Sequence, residues 1–99
     1  EKAARVPVEF ALLQNYPNPF NPTTTIEFHL PHTIHVSVAI YNALGQKVAQ
    51  LVDAEMVPGI YIHNWNGQDY NGSQVGSGLF FYRIKAGDFV ETKKMLLIR

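Results

Sequence analysis

His29, His32 and His35 stand three residues apart, with His63 further along the chain. Histidines at short spacing are the first place to look for a metal. If Phe28–Leu30 and Ile34–Val36 close a tight hairpin about His32, then His29 and His35 face each other across two strands and can share a zinc ion. The competing arrangement, an immunoglobulin-like topology, sends those strands to different sheets and parts the pair. Glu27 is the one carboxylate nearby on the same face. Solvated strand histidines explain the pattern more simply, and no metal ligand is assigned. Asp69-Tyr70-Asn71-Gly72 shares part of a calcium-loop pattern, but the run of oxygen ligands and the closing glutamate are missing. Turn chemistry accounts for Asp69, Asn71 and Gly72 on its own. No cofactor is called for.

Catalytic groups are equally hard to assemble. Ser37, Ser73 and Ser77 lack nucleophile-elbow surroundings, and a serine without a base and an orienting group is a poor nucleophile. Asp69 and Asp88 both lie in turn segments, and no carboxylate pair marks a cleft. No enzymatic role is expected. Asn71-Gly72-Ser73 matches a glycosylation acceptor over three residues only. Tyr61, Trp65, Tyr70, Phe81 and Tyr82 are numerous enough to stack on a carbohydrate, but Trp65, Phe81 and Tyr82 are more simply core. Tyr61 and Tyr70 are the two of these expected to reach solvent.

The segment Gln14-Asn15-Tyr16-Pro17-Asn18-Pro19-Phe20-Asn21-Pro22-Thr23 is the most distinctive in the chain. Each proline fixes φ, lacks a donor and pushes the preceding residue to extended geometry. Three such pairs make a stiff, non-helical stretch that cannot sit in a central strand. Asparagine can close Asx-turns, and Tyr16 and Phe20 offer apolar area to pin the stretch onto a core. A shaped cover for a β-domain fits better than a loose linker.

The totals set bounds. Ninety-nine residues make one domain. With 46% apolar and 16% charged residues, the chain has the composition of a folded domain. Eight basic and eight acidic side chains cancel, so no field draws nucleic acid or an anionic membrane. The absence of cysteine excludes disulfides and thiolate chemistry and leaves the compartment open. No apolar run approaches the roughly 20 residues that span a bilayer, so direct membrane insertion is not expected. Glu1-Lys2-Ala3-Ala4-Arg5 has no apolar stretch of an export signal. Residues 1–7 read as the end of a linker from a larger parent protein, and 8–99 as the domain.

Strand signals alternate with turn signals. Ile26, Phe28 and Leu30 oppose Thr25, Glu27 and His29, while Val36, Val38 and Ile40 oppose His35, Ser37 and Ala39; such period-two alternation means one buried face. Asn42-Ala43-Leu44-Gly45 is a turn that uses positive φ at Gly45. Gln46 to Val52 resumes as a strand, although Val48, Leu51 and Val52 also fit a helical turn. Ile60 to Trp65 follows Pro58-Gly59. Asn66-Gly67 and Asn71-Gly72 bound a compact double turn. Leu79 to Lys85 is apolar on both faces, as in a strand covered twice or near a sheet interface. Ala86-Gly87-Asp88 closes a hairpin into Phe89 to Ile98. With Phe10 to Leu13 this gives about seven strands, an all-β, immunoglobulin-like or fibronectin III-like antiparallel sandwich. The expected core is Ile26, Phe28, Leu30, Val36, Val38, Ile40, Val48, Trp65, Phe80, Tyr82, Ile84, Met95 and Leu97, with Trp65 between the sheets. The final strand, apolar on both faces after Lys93-Lys94, is either central or an edge offering its backbone to a partner.

Asn15 to Pro22 with Thr25-Ile26-Glu27-Phe28-His29-Leu30-Pro31, Ile40 to Val48, Trp65-Asn66-Gly67-Gln68-Asp69, Gly76 to Arg83 and Lys93 to Arg99 together resemble the C-terminal sorting domain of the type IX secretion system. The Trp-x-Gly-x-Asp and Ser-Gly-aromatic patterns are also similar to the immunoglobulin-like domain of flagellar hook-capping proteins. The resemblance implies a non-catalytic signal that directs a parent protein across a bacterial outer membrane. It implies transit through the periplasm and a final place in the medium or on the cell surface. Its partners would be the outer-membrane secretion machinery and the covalently linked parent. Lys93, Lys94, Met95, Leu96, Leu97, Ile98 and Arg99 would be the stretch the translocon recognises. Asn15, Tyr16, Pro17, Asn18, Pro19, Phe20, Asn21, Pro22, Gly45, Trp65, Gly67, Asp69, Gly78 and Arg83 would be structural hallmarks, with Arg83 packing its stem and bonding a nearby carboxylate or carbonyl. The alternative is a structural or carbohydrate-binding accessory domain of a secreted multidomain enzyme.

Overall fold

The computed structural model describes residues 6–99, so most of the expected linker, residues 1–5, lies outside the described residues. The strands are β1 (Ala11–Leu12), β2 (Thr24–Leu30), β3 (Ile34–Asn42), β4 (Lys47–Met56), β5 (Gly59–Trp65), β6 (Gly78–Ala86) and β7 (Phe89–Leu97). They form two antiparallel sheets, ordered β1-β2-β5 and β4-β3-β6-β7. The chain is an immunoglobulin-like sandwich.

Alternation decides which faces meet. β2 buries Thr24, Ile26, Phe28 and Leu30 and turns Thr25, Glu27 and His29 outward. β3 and β6 oppose them with Val36, Val38, Ile40, Phe80, Tyr82 and Ile84, and β7 adds Met95 and Leu97. Trp65 closes one end of the core, 5.8 Å from Phe20 and 5.4 Å from Phe80 by ring centroid. Its indole N–H donates to the Gln68 carbonyl at 3.0 Å, which gives the one polar atom of that ring a partner.

β4 departs from simple alternation. Its pairing with β3 steps from Val38↔Val52 to Ala39↔Gln50 and from Ile40↔Ala49 to Tyr41↔Lys47, skipping Leu51 and Val48. Two bulges therefore put Ala49 and Val52 in the core, three residues apart, and leave Val48 only partly buried. That is why this strand carries a helix-like spacing. Nearby carbonyls find other donors: Gln50 Nε2 bonds Val38 O at 3.3 Å and Val52 O at 2.7 Å, and the Tyr70 N–H bonds Val48 O at 3.0 Å.

Three further expectations are corrected. β6 is central in its sheet, yet only one of its faces is covered; Leu79, Arg83 and Lys85 are exposed and Phe81 is half-buried on the outer face. Tyr61 reaches solvent only in part: it is half-buried, its ring stacks on Phe28 at 5.5 Å, and its hydroxyl donates to Val57 O in an exposed bond. Tyr16 does not pin its segment by its ring, which is 79% exposed, whereas Phe20 is 2% exposed.

Candidate functional site: the final strand and the segment across its edge

β7 is an edge strand. An unpaired edge invites pairing with other chains, and here residues 14–20 cross from the first sheet to lie along part of it. Phe20 donates its N–H to Leu96 O at 2.9 Å, and Ile98 N–H returns to Phe20 O at 3.0 Å, a parallel bridge centred on Leu97. Asn18 Oδ1 accepts the Leu96 N–H at 2.9 Å, and Gln14 Nε2 donates to Lys94 O at 2.8 Å. The last third of β7 has thus already placed its outward backbone groups. Among the described residues, the outward groups of Val90 and Thr92 and the outward N–H of Lys94 lack a partner. Glu91 and Lys93 stand between them, paired at 3.3 Å.

The covering segment is itself fastened at several points. Tyr82, on β6, uses its buried hydroxyl twice: it accepts the Asn15 N–H at 2.8 Å and donates to Leu13 O at 2.7 Å. Burial pushes that phenol up to about 12, with the Asn15 N–H working against the shift and the Glu91 charge adding to it. Asn15 is buried and donates through Nδ2 to Thr24 Oγ1 at 2.9 Å and Pro17 O at 3.2 Å, and Thr24 Oγ1 donates in turn to Pro17 O at 2.8 Å. Tyr16 contributes backbone alone, exchanging N–H and C=O with Thr25. The prolines occupy exposed positions 17, 19 and 22, where no ladder donor is required.

The tail residues divide by face. Met95 and Leu97 are buried in the core, while Lys94, Leu96 and Ile98 are exposed on the outer face. Lys93 faces inward at the rim, beside Glu91. Arg99 turns back onto the 74–77 loop: its backbone N–H donates to Ser77 Oγ at 2.9 Å, its Nε to Val75 O at 2.7 Å and its Nη2 to Gln74 Oε1.

Gly67, at φ +76°, brings that loop close. A Cβ there would lie 3.2 Å from Arg99 Nη2 and 3.3 Å from Pro22 O, so glycine joins the covering segment to the end of the chain. Asp69 is a turn residue whose Oδ1 accepts the N–H groups of Asn71 and Ser73 at 2.9 and 3.0 Å. Gly45 takes φ +82° in a turn held by Asn42 Oδ1, and Gly78 opens β6 opposite Leu97. Arg83 differs from expectation: it is exposed, and among the described residues its guanidinium bonds neither a carboxylate nor a carbonyl.

The histidines are dispersed. His29 meets Glu27 at 2.7 Å on the first sheet and His35 meets Asp53 at 2.7 Å on the second, so the tight-hairpin arrangement does not form. His63 packs against Phe28, and His32 lies edge-on to Phe10. A shallow groove of about 410 Å³ runs between β4 and the loop after β5, lined by Gln50, Asn64, Asn66, Asp69 and Tyr70 among others. Tyr70 is 63% exposed there.

Known proteins can be set beside this arrangement. Comparison with curated proteins gives no match. Among solved structures, the fold is similar to part of dimeric latent PorU from Porphyromonas gingivalis, with TM-score 0.72 and 18% identity over 91% of this chain and 9% of that one. It is similar to part of PorZ from the same organism, an essential bacterial surface component of the type-IX secretion system, with TM-score 0.60 and 23% identity over 91% of this chain and 11% of that one. FlgD from P. aeruginosa follows at TM-score 0.58 and 20% identity, over 75% of this chain and 58% of FlgD. The chain thus spans only about a tenth of the PorU and PorZ chains. A family model for the secretion system C-terminal sorting domain matches residues 14–98, from the covering segment to the end of the final strand, and the chain belongs to that family, the sorting domains of the type IX secretion system.

Proposed function

We propose that this domain directs a covalently linked parent protein through the periplasm and across the outer membrane, to the medium or the cell surface, and itself catalyses nothing. The translocon reads the final stretch, Lys93 to Arg99. The observation that carries the reading is the division of that stretch. The backbone of Leu96 and Ile98 is already bonded to Asn18 and Phe20, whereas the Lys94, Leu96 and Ile98 side chains face out. Recognition of the folded domain at the end of the strand therefore runs through side chains, and strand addition is restricted to the edge from Val90 to the Lys94 N–H. Asn15 to Pro22 supports the signal by fixing the strand that carries it.

A reporter with a signal peptide, fused ahead of residues 6–99, tests this in a host that has the secretion system. The fusion should reach the exterior, and removal of Lys94 to Arg99 should hold it in the periplasm. Equal export of both forms would refute the sorting role. The exposed Tyr70 ring beside an amide-lined groove favours one second reading, an accessory carbohydrate-binding domain. Retention on polysaccharide columns, abolished by Tyr70→Ala, would support that reading.

A further inference from the structure

The outer face of the four-stranded sheet carries a pattern that the tail alone does not explain. Register places Lys47, Tyr41, Phe81 and Lys94 in one row across β4, β3, β6 and β7, with a cation at each end and two half-buried aromatics between. With neighbouring strands about 4.8 Å apart, the row is roughly 14 Å wide. Beside it lie Leu79 and Leu96, directly opposite one another and 39% and 38% exposed, with Ile98 one step further along at 49%. On the other side stands Arg83, opposite Thr92. None of Lys47, Arg83 and Lys94 pairs with a carboxylate among the described residues. The acidic residues of this face, Asp53 and Glu55, sit towards its far end, opposite Ser37 and His35.

Contiguous apolar area rimmed by polar groups marks an interaction surface. We infer that Lys47, Tyr41, Leu79, Phe81 and Arg83 form one docking face with the outward tail residues Lys94, Leu96 and Ile98, and that its occupant is a protein surface with an apolar centre and a carboxylate rim. The inference rests on the sorting role proposed above and extends it to residues of three other strands. Unpaired cations at the rim supply the charge complementarity, Tyr41 and Phe81 form the apolar middle of the row, and the aliphatic Leu79, Leu96 and Ile98 extend it at one side. A nucleic acid or an anionic membrane fits less well, since the aromatic rings are half-buried and the chain has no net charge.

The test uses the reporter fusion with an intact tail. Lys47→Glu with Arg83→Glu alters two exposed side chains that lie outside the final stretch. Export should fall about tenfold, a modest share of the penalty for setting like charges against a carboxylate rim, while thermal unfolding of the purified domain stays unchanged. Lys85→Glu, at the other end of the same sheet face, should export normally. Wild-type export of the double variant, in a host where removal of Lys94 to Arg99 blocks export, would overturn the composite face and leave the sorting role standing. Export of the tail-deleted form would instead strike the sorting role itself. A double variant that is lost from export because it unfolds is replaced by Leu79→Ser, judged by the same two measurements. Co-sedimentation of the purified domain with phosphatidylglycerol vesicles, lost in the double variant, would overturn the protein occupant in favour of a lipid surface.

Discussion

Tyr82→Phe isolates the bond that holds the covering segment to the core. The substitution keeps the ring, whose environment is fully buried, and deletes one oxygen that serves two backbone groups. Asn15 N–H then has no acceptor at a position only 2% exposed, and Leu13 O loses a donor. An unsatisfied buried donor costs about 1–3 kcal/mol, so a loss of about 2–3 kcal/mol is expected. For a domain of this size each kcal/mol moves the Tm by roughly 4–8 °C, giving a fall on the order of 10–20 °C. A second signature comes from titration. The folded protein keeps the phenol proton up to about pH 12, whereas an unfolded tyrosine releases it near 10. The corresponding stability is whole below pH 10 and disappears as pH rises through 12, on the order of 2 kcal/mol in all. Urea unfolding from pH 8 to 12 should show this alkaline loss in the wild type and a smaller one in Tyr82→Phe. A variant within about 0.5 kcal/mol of wild type at pH 8, or identical alkaline slopes, would refute the reasoning.

Two other perturbations follow from the same geometry. Asn18→Ala removes the acceptor of the Leu96 N–H; hydrogen exchange at that amide should speed up about tenfold or more, with the Met95 amide little changed, and equal protection at Leu96 would show that Asn18 does not cover the edge. Gly67→Ala adds a Cβ against Pro22 O and the Arg99–Gln74 pair at φ +76°; a cost of about 1–2 kcal/mol in chemical denaturation is expected, and a neutral result would mean that the loop shifts freely.

Local alternation was enough to reveal most of the fold. Ile26, Phe28 and Leu30, or Val36, Val38 and Ile40, each declare a face without any knowledge of the partner strand. β4 resisted because its two bulges change the phase, so Val48 stands at the core margin and Ala49 and Val52 inside. Residues 79–85 misled in another way, since apolar side chains on both faces do not require cover on both. Instead, the outward Leu79 and Phe81 belong to the surface proposed for docking. In the candidate site, the proline spacing marked a shaped cover, but not what it covers. The bonds from Asn18 and Phe20 to Leu96 and Ile98 span nearly eighty positions, and no local pattern encodes such a pairing. The Tyr82–Asn15–Thr24 chain is likewise a tertiary feature, visible only when a buried tyrosine hydroxyl is followed to its partners.

The central claim is that the outward side chains of the last strand form the address. Its most direct measurement is the fraction of reporter outside the cell when Lys94→Glu, Leu96→Asp and Ile98→Asp are combined in a domain whose unfolding midpoint shows it still folded. The account predicts that this fraction collapses and the reporter accumulates in the periplasm. Undiminished export of the folded triple variant would contradict it.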